Sequence, residues 1–122
     1  MLSFGFLPVT ASTVGAASIS VEDYPEIGPS APNNPPFCGM PWSQLNLNFI
    51  TAVEGLQQSE CGTCLQVCGS SGCVFALAVD RGGDGLDLST GCSTNVIGNS
   101  DSRGYAEWQA VDSTNCNGIW NQ

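Results

Sequence analysis

The sequence predicts a small, mainly β fold in which short strands close into a barrel beside one main helix, held by disulfide bonds. A length of 122 residues suits one domain. Seven cysteines are many for such a short chain and indicate an oxidising compartment, where disulfides supplement a small core. From Cys61 onward, short apolar runs alternate with glycine-rich turns, which favours strands. Closure into a barrel would remove their exposed edges.

The N-terminal residues 1–16 are mildly apolar and rich in small side chains, and Val14-Gly15-Ala16 resembles a cleavage site. The segment lacks a positively charged start and its apolar part is short. A signal peptide and a disordered tail are both consistent with this composition. We therefore expect the folded domain to span residues 17–122, and no later stretch is apolar enough to cross a membrane.

The first strand is predicted at Ile19–Tyr24, where β-branched residues recur. Residues 25–36 contain five prolines and predict an irregular loop that leads to Cys38. Apolar residues then recur at three- and four-residue spacing, with Pro41 near the start and Gly55 near the end. This spacing predicts the one main helix, with its apolar face at Trp42, Leu45, Phe49, Ile50, Val53 and Leu56.

Two strands of a hairpin are predicted at Leu65–Cys68 and Cys73–Asp80, separated by a loop with a glycine at each end. The run from Val74 to Val79 is apolar on both faces, which is typical of a central strand. After a glycine-rich turn, Leu86–Leu88 predicts a short strand. The alternation within Tyr105–Val111 predicts the last one.

The charge excludes several functions. The chain has eleven carboxylates and only two basic residues, Arg81 and Arg103, which gives a net charge of -9. Such a chain would be repelled by nucleic acid and by anionic membrane surfaces, and solubility is the simplest use of the charge. The sequence has no histidine, which excludes a histidine-based catalytic triad or metal site. We expect no metal and no organic cofactor.

Three segments together resemble the cerato-platanin family. They are ASISVEDY at residues 17–24, CGTC at 61–64 followed by VDRGGDGLDLS at 79–89, and QAVDSTNC at 109–116. These are small secreted fungal proteins with a double-ψ β-barrel, related in fold to barwin and to the first domain of expansins. The resemblance implies a six-stranded double-ψ β-barrel. Seven cysteines exceed the family's usual number. Asp87, where the glycine-rich turn ends, is more typical of barwin and expansins.

The resemblance also implies two disulfides, Cys38–Cys61 and Cys64–Cys116. The spacing in Cys61-Gly-Thr-Cys64 also occurs in redox and zinc motifs, but strand-forming residues follow it here and no histidine is available. A structural role is therefore favoured.

Three cysteines remain. Cys68 and Cys73 flank the predicted hairpin loop and could pair across it. Cys92 would then be unpaired. The alternatives are a bond from Cys92 to Cys68 or Cys73, or an intermolecular bond.

Three aspartates, Asp80, Asp84 and Asp87, lie within eight residues. A solvated turn would explain them, since aspartate and glycine favour turns. The resemblance implies instead a shallow groove lined by the strand end at Asp80 and the turn after it, with Asp87 as the groove carboxylate. We predict that these three bind ligand together with Asp23 and Tyr24.

Hydrolysis of a glycoside would need two carboxylates roughly 5–9.5 Å apart. Asp87 is the candidate acid, with Asp23 or Glu22 as its partner. Among the aromatic residues that could contact sugar rings, Trp42 and Trp108 are predicted to lie in the core and Trp120 at the surface. Tyr24 and Tyr105 could lie in either place.

The resemblance implies a secreted, non-catalytic, monomeric protein of the extracellular space or cell wall. It would bind chitin-type or β-glucan oligosaccharides, loosen cellulose contacts as expansins do, and act as an elicitor or effector. One alternative is an endoglucanase-like hydrolase that uses Asp87. The other is a protein-binding module, such as a protease inhibitor, that acts on host extracellular proteins.

Overall fold

The computed structural model describes residues 14–24, 34–99 and 103–121. Most of the predicted signal peptide or tail, up to residue 13, and residues 25–33 of the predicted proline-rich loop lie outside the described residues. The first strand already begins at Val14, five residues before its predicted start at Ile19. Within the described ranges, no helix is both long and apolar enough to cross a membrane.

Six strands form a closed barrel in the order β1-β5-β2-β4-β3-β6, which confirms the predicted fold class. The strands are β1 (Val14–Glu22), β2 (Ile50–Glu54), β3 (Cys64–Gly69), β4 (Gly72–Gly82), β5 (Leu86–Ser89) and β6 (Gly104–Val111). An α-helix, α1, spans Thr90–Ile97. Three 3-10 turns lie at Trp42–Gln44, Gln58–Glu60 and Ser113–Cys116.

Parallel and antiparallel pairs alternate around part of the barrel. β1 pairs with β5, and β2 with β4, in parallel. The remaining neighbours are antiparallel. The predicted β3–β4 hairpin is confirmed, but its strands reach Gly69 and Gly72, so the loop between them is only Ser70-Ser71. β4 has a neighbour on each side, as predicted for a central strand.

The predicted helix between Trp42 and Leu56 is wrong. That segment contains the 3-10 turn and then β2, whose first four residues, Ile50 to Val53, are all buried. A strand covered on both faces is apolar at successive positions and can imitate helical spacing. β-branched side chains at three of these four positions also favour a strand.

The helix forms instead at α1, where the sequence gives little periodic signal. Its buried residues are Cys92, Ser93 and Val96, so its inner face is small and partly polar. It ends at Gly98, whose φ of 84° is the left-handed conformation that commonly ends helices.

The core consists of two clusters on opposite sides of the barrel wall. The first fills the barrel and includes Ile19, Leu65, Leu86, Leu88, Val96 and Trp108. The second covers the outside of β2 and β4 and includes Tyr24, Met40, Leu45, Ile50, Leu77, Val79 and Ile119. Two clusters explain why β4 is apolar on both faces. Trp108 lies in the barrel as predicted, and its ring covers Gly15, where any Cβ would overlap it.

Three disulfides link distant or neighbouring segments of the chain. Cys38–Cys61 and Cys64–Cys116 form as the resemblance implied. Cys68–Cys73 joins directly opposed positions of the hairpin, and Cys92 is a buried free thiol. This pairing decides among the alternatives for the last three cysteines.

Candidate functional site

The parallel pairing of β1 with β5 places Ser20 opposite Asp87 on the outside of the barrel. Their neighbours Ile19, Leu86 and Leu88 are buried, and because side chains alternate along a strand, Ser20 and Asp87 face outward. The Ser20 hydroxyl donates a hydrogen bond to Asp87 Oδ1 at 3.0 Å. The carboxylate therefore has a fixed orientation before any ligand arrives.

Asp87 is half-buried, and its surroundings change its protonation. Burial raises the pKa of this carboxyl above its usual range, while the hydrogen bond from Ser20 opposes the rise. The charge of Asp80 raises the pKa further, and Arg103 lowers it. Such a group accepts hydrogen bonds when ionised and donates one when protonated.

The ring of Tyr24 lies buried beside this carboxylate, with only 4% of the residue exposed. Its hydroxyl donates to the backbone carbonyl of Asp87 at 3.4 Å. Burial, followed by the charges of Asp87 and Asp80, raises the pKa of Tyr24, so its hydroxyl stays neutral. The ring stacks on Trp42, with the centroids 5.8 Å apart. Trp42 is only half-buried, whereas the sequence predicted it in the core.

Asp80 is held near the end of β4 by backbone donors. It accepts a hydrogen bond from the Phe37 N–H at 2.8 Å and another from the Arg81 N–H at 3.0 Å. Arg81 itself is used elsewhere, because its Nε donates to the Leu56 carbonyl at 2.8 Å and its guanidinium lies 4.0 Å from the centre of the Phe37 ring. The position of Arg81 is thus set by backbone and aromatic contacts.

Glu22 and Asp23 end the first strand near the same two aspartates. Burial raises the pKa of Glu22, and the charges of Asp87, Asp80 and Asp23 raise it further. The strand register supports this grouping, because Ser20 lies opposite Asp87, and Asp87 and Asp80 both lie opposite Ala52 of β2. We call Glu22, Asp23, Asp80 and Asp87 the acidic face.

Asp84 lies apart from the acidic face, in the exposed turn between β4 and β5. The Ser18 hydroxyl donates to Asp84 Oδ1 at 3.5 Å. Within the described ranges, no three Asp, Glu, Cys or His side chains converge closely enough to hold a metal ion.

Ser18 and Ser20, whose hydroxyls hold Asp84 and Asp87, were not among the predicted site residues. The signal was present, because Ser18, Ser20 and Glu22 alternate with the buried Ala17 and Ile19 along β1. This period-two pattern identifies the outward positions of the strand. It could not identify the partners of the two serines, which lie 66 and 67 residues later.

Comparison with known proteins supports the fold. No protein-family model matches the chain, and no characterised protein matches it by sequence. Among solved structures, cerato-platanin 2 from M. perniciosa matches with a TM-score of 0.66 at 17% identity, covering 84% of this chain and 99% of that one. The chain has a cerato-platanin-like double-ψ β-barrel fold. The resemblance stated from the sequence is thereby confirmed at the level of the fold.

Two further structures share the cerato-platanin-like fold. The fungal elicitor cerato-platanin matches with a TM-score of 0.55 at 20% identity, covering 81% of this chain and 95% of that one. An expansin from Clavibacter michiganensis matches with a TM-score of 0.62 at 19% identity, covering 82% of this chain and 51% of that one. This chain therefore spans about half the length of the expansin. A mutant of that expansin was solved in complex with cellohexaose.

Proposed function

We propose that this protein is a secreted, non-catalytic protein that binds neutral cell-wall polysaccharides of the β-glucan or chitin type through its acidic face. The observation that carries the proposal is the half-buried Asp87 carboxylate, held by Ser20 on the outside of a barrel. An expansin that shares this fold was solved with cellohexaose, which makes a glucan oligomer the first ligand to test.

The chemistry of the acidic face suits a neutral sugar. A carboxylate accepts short, strong hydrogen bonds from hydroxyl groups. Because Ser20 already fixes Asp87, little side-chain entropy is lost when a ligand binds. The chain carries a net charge of -9, so a neutral glucan can approach it, whereas an anionic polysaccharide would be repelled.

Of the two candidate partners of Asp87 in a hydrolase, Glu22 is poorly suited to be the carboxylate that stays ionised. A glycosidase needs one carboxyl with a raised pKa as the acid and one that stays ionised. Here the pKa values of Asp87 and Glu22 are both raised, and Asp80 already accepts two backbone hydrogen bonds. The hydrolase alternative would have to pair Asp87 with Asp23 or with Glu22.

Three disulfides suit an extracellular protein, because such bonds persist in oxidising compartments. We place the protein in the extracellular space or cell wall. There, wall binding would accompany an elicitor or effector role.

The test is calorimetric titration with cellohexaose and with a chitin hexamer, with the same samples assayed for new reducing ends. We expect saturable binding, no reducing ends, and about tenfold weaker binding for Asp87→Asn. The matched control is Asp112→Asn, which makes the same change at an exposed position after β6, outside the acidic face.

Three results would contradict the proposal in different ways. New reducing ends that Asp87→Asn abolishes would establish the hydrolase. Equal weakening by Asp87→Asn and Asp112→Asn would show that net charge, and not the acidic face, governs binding. Absence of binding to either oligomer would leave the protein-binding module, tested next by inhibition of extracellular proteases.

A further inference from the structure

Tyr105 is the most exposed large apolar side chain that the structure describes, with 75% of the residue accessible. It lies on β6 directly opposite Ser18 of β1. Opposed residues of an antiparallel pair project from the same side of the sheet. Ser18 and Ser20 share the outer side of β1, so Tyr105 lies on the same surface as Ser20 and Asp87.

The spacing of these side chains follows from the strand order β6-β1-β5. Two strand separations of roughly 4.8 Å place the backbone of Tyr105 roughly 10 Å along the barrel wall from that of Asp87, and the offset from Ser18 to Ser20 adds roughly 7 Å along the strands. The curvature of the closed barrel carries the two outward side chains further apart. A ligand held by Asp87 would therefore reach Tyr105 only if it extended beyond one sugar unit.

The side chain of Tyr105 suits a sugar ring. An aromatic face packs against the C–H groups on one side of a pyranose, while the phenol hydroxyl bonds to hydroxyl groups at its edge. Tyrosine also loses little conformational entropy when it is immobilised. Space is available, because Tyr105 borders an open cavity of about 330 Å³ that is also lined by Cys68, Gly69 and Glu107.

The position of Tyr105, and not its exposure alone, indicates a binding role. Exposed aromatic residues are ordinary when scattered singly over a surface. Tyr105 instead continues a row that already contains two oriented polar pairs, Ser18 with Asp84 and Ser20 with Asp87. Trp120, exposed at 37%, lies elsewhere, in a bridge with Leu45, and bonds to Gln44.

We infer that Tyr105 is a stacking subsite for a neutral β-linked oligosaccharide that extends beyond the sugar unit held at Asp87. This inference rests on the proposed function. It adds a prediction about ligand length, because only oligomers that span both residues gain from the tyrosine.

The experiment is calorimetric titration of Tyr105 variants with cellohexaose and cellobiose. We expect Tyr105→Ala and Tyr105→Thr to weaken cellohexaose binding about three- to tenfold, and Tyr105→Phe to stay within about twofold of the unmodified protein. The threonine variant keeps a good strand former, which protects against a folding defect. Thermal unfolding of each variant checks this.

Two controls accompany these variants. Trp120→Ala, the matched aromatic control, should leave the affinity for cellohexaose unchanged. The Tyr105 substitutions should weaken the binding of cellobiose less than that of cellohexaose.

Two outcomes separate the inference from the proposed function. The first outcome is that cellohexaose binds and Asp87→Asn weakens this binding, while Tyr105→Ala and Tyr105→Thr bind as tightly as the unmodified protein. In that case the subsite is wrong and the proposed function stands. If the unmodified protein binds neither this oligomer nor a chitin hexamer, both fail. A loss for Tyr105→Phe equal to that for Tyr105→Ala would also contradict stacking.

Discussion

Ser20 and Asp87 are 67 residues apart in the sequence and are joined by a 3.0 Å hydrogen bond across the parallel β1–β5 pair. Neither strand supplies the site alone. β1 pairs with β5 along one edge and with β6 along the other. The orientation of the Asp87 carboxylate is therefore a consequence of the parallel β1–β5 pairing, and changes that loosen this pair should weaken ligand binding.

Replacing Asp87 with Asn should raise the melting temperature at neutral pH. Because the folded-state pKa of Asp87 is raised, the stability it contributes is present below its unfolded pKa and is lost as pH rises through the folded value. Asn never carries the charge and avoids this cost. The side chain is still half exposed, so solvent screening limits the gain to about 1–3 °C.

The pH dependence of that gain is the decisive measurement. The difference in melting temperature should shrink towards zero as pH falls below about 4, where the carboxyl is protonated in both states. Asp112 is the control of opposite sign, because hydrogen bonds from Thr114 lower its pKa. Asp112→Asn should lose stability at neutral pH, and that loss should fade on acidification. A gain for Asp87→Asn that is independent of pH would contradict the assigned cause.

Gly85 should tolerate no side chain. Its φ is +53°, and a Cβ there would overlap the backbone carbonyl of Ser18. We expect Gly85→Ala to lower the free energy of unfolding by about 2–4 kcal/mol, measured by urea denaturation. The same variant should weaken cellohexaose binding, because this turn sets the distance between β1 and β5.

Gly83, two residues earlier, provides the comparison. A Cβ at Gly83 would meet no atom within 4 Å. Gly83→Ala should therefore change the free energy of unfolding by less than about 0.5 kcal/mol. Equal effects at the two positions would show that the turn is not held as described.

The disulfides should differ in their contribution to stability. Cys64–Cys116 closes a loop with a sequence separation of 52, whereas Cys68–Cys73 spans only 5. By the loop-entropy relation, removing the first with paired alanines should cost about 4 kcal/mol and removing the second about 2 kcal/mol. Urea unfolding of the two double variants measures the difference. A larger loss for the short hairpin bond would show that its contribution comes from native packing.

The hairpin and the last two strands were predictable because each has its own local signal, whereas the six-stranded double-ψ barrel was implied by the family resemblance. Glycine-bounded loops and period-two alternation determine these elements within a few residues of the chain. The helix was misplaced because helical and buried-strand patterns coincide at Ile50–Val53. α1 buries Cys92, Ser93 and Val96, an inner face too small and polar to give an apolar stripe.

The site was predictable only in part, because its geometry depends on hydrogen bonds between residues that are far apart in the sequence. Asp80 and Asp87 follow a strand and a glycine-rich turn, which is a local signal. Their partners are Phe37, 43 residues from Asp80, and Ser20, 67 residues from Asp87. No spacing rule connects residues so far apart. Tyr24 was expected at the surface of the groove or in the core, and its burial depends on packing against Trp42.

Cys92 should be unreactive in the folded protein. Its side chain is buried in α1 beneath the Asn48 carbonyl, 3.5 Å from its Sγ, and burial raises the pKa of the thiol to about 11. Thiolate is the reactive form, so almost none is present at pH 8. A chromogenic disulfide reagent should find no thiol in the native protein and one per chain in guanidinium without reductant, because the other six cysteines are paired. Rapid reaction in the native state would contradict this burial, and two or more thiols after unfolding would contradict the pairing.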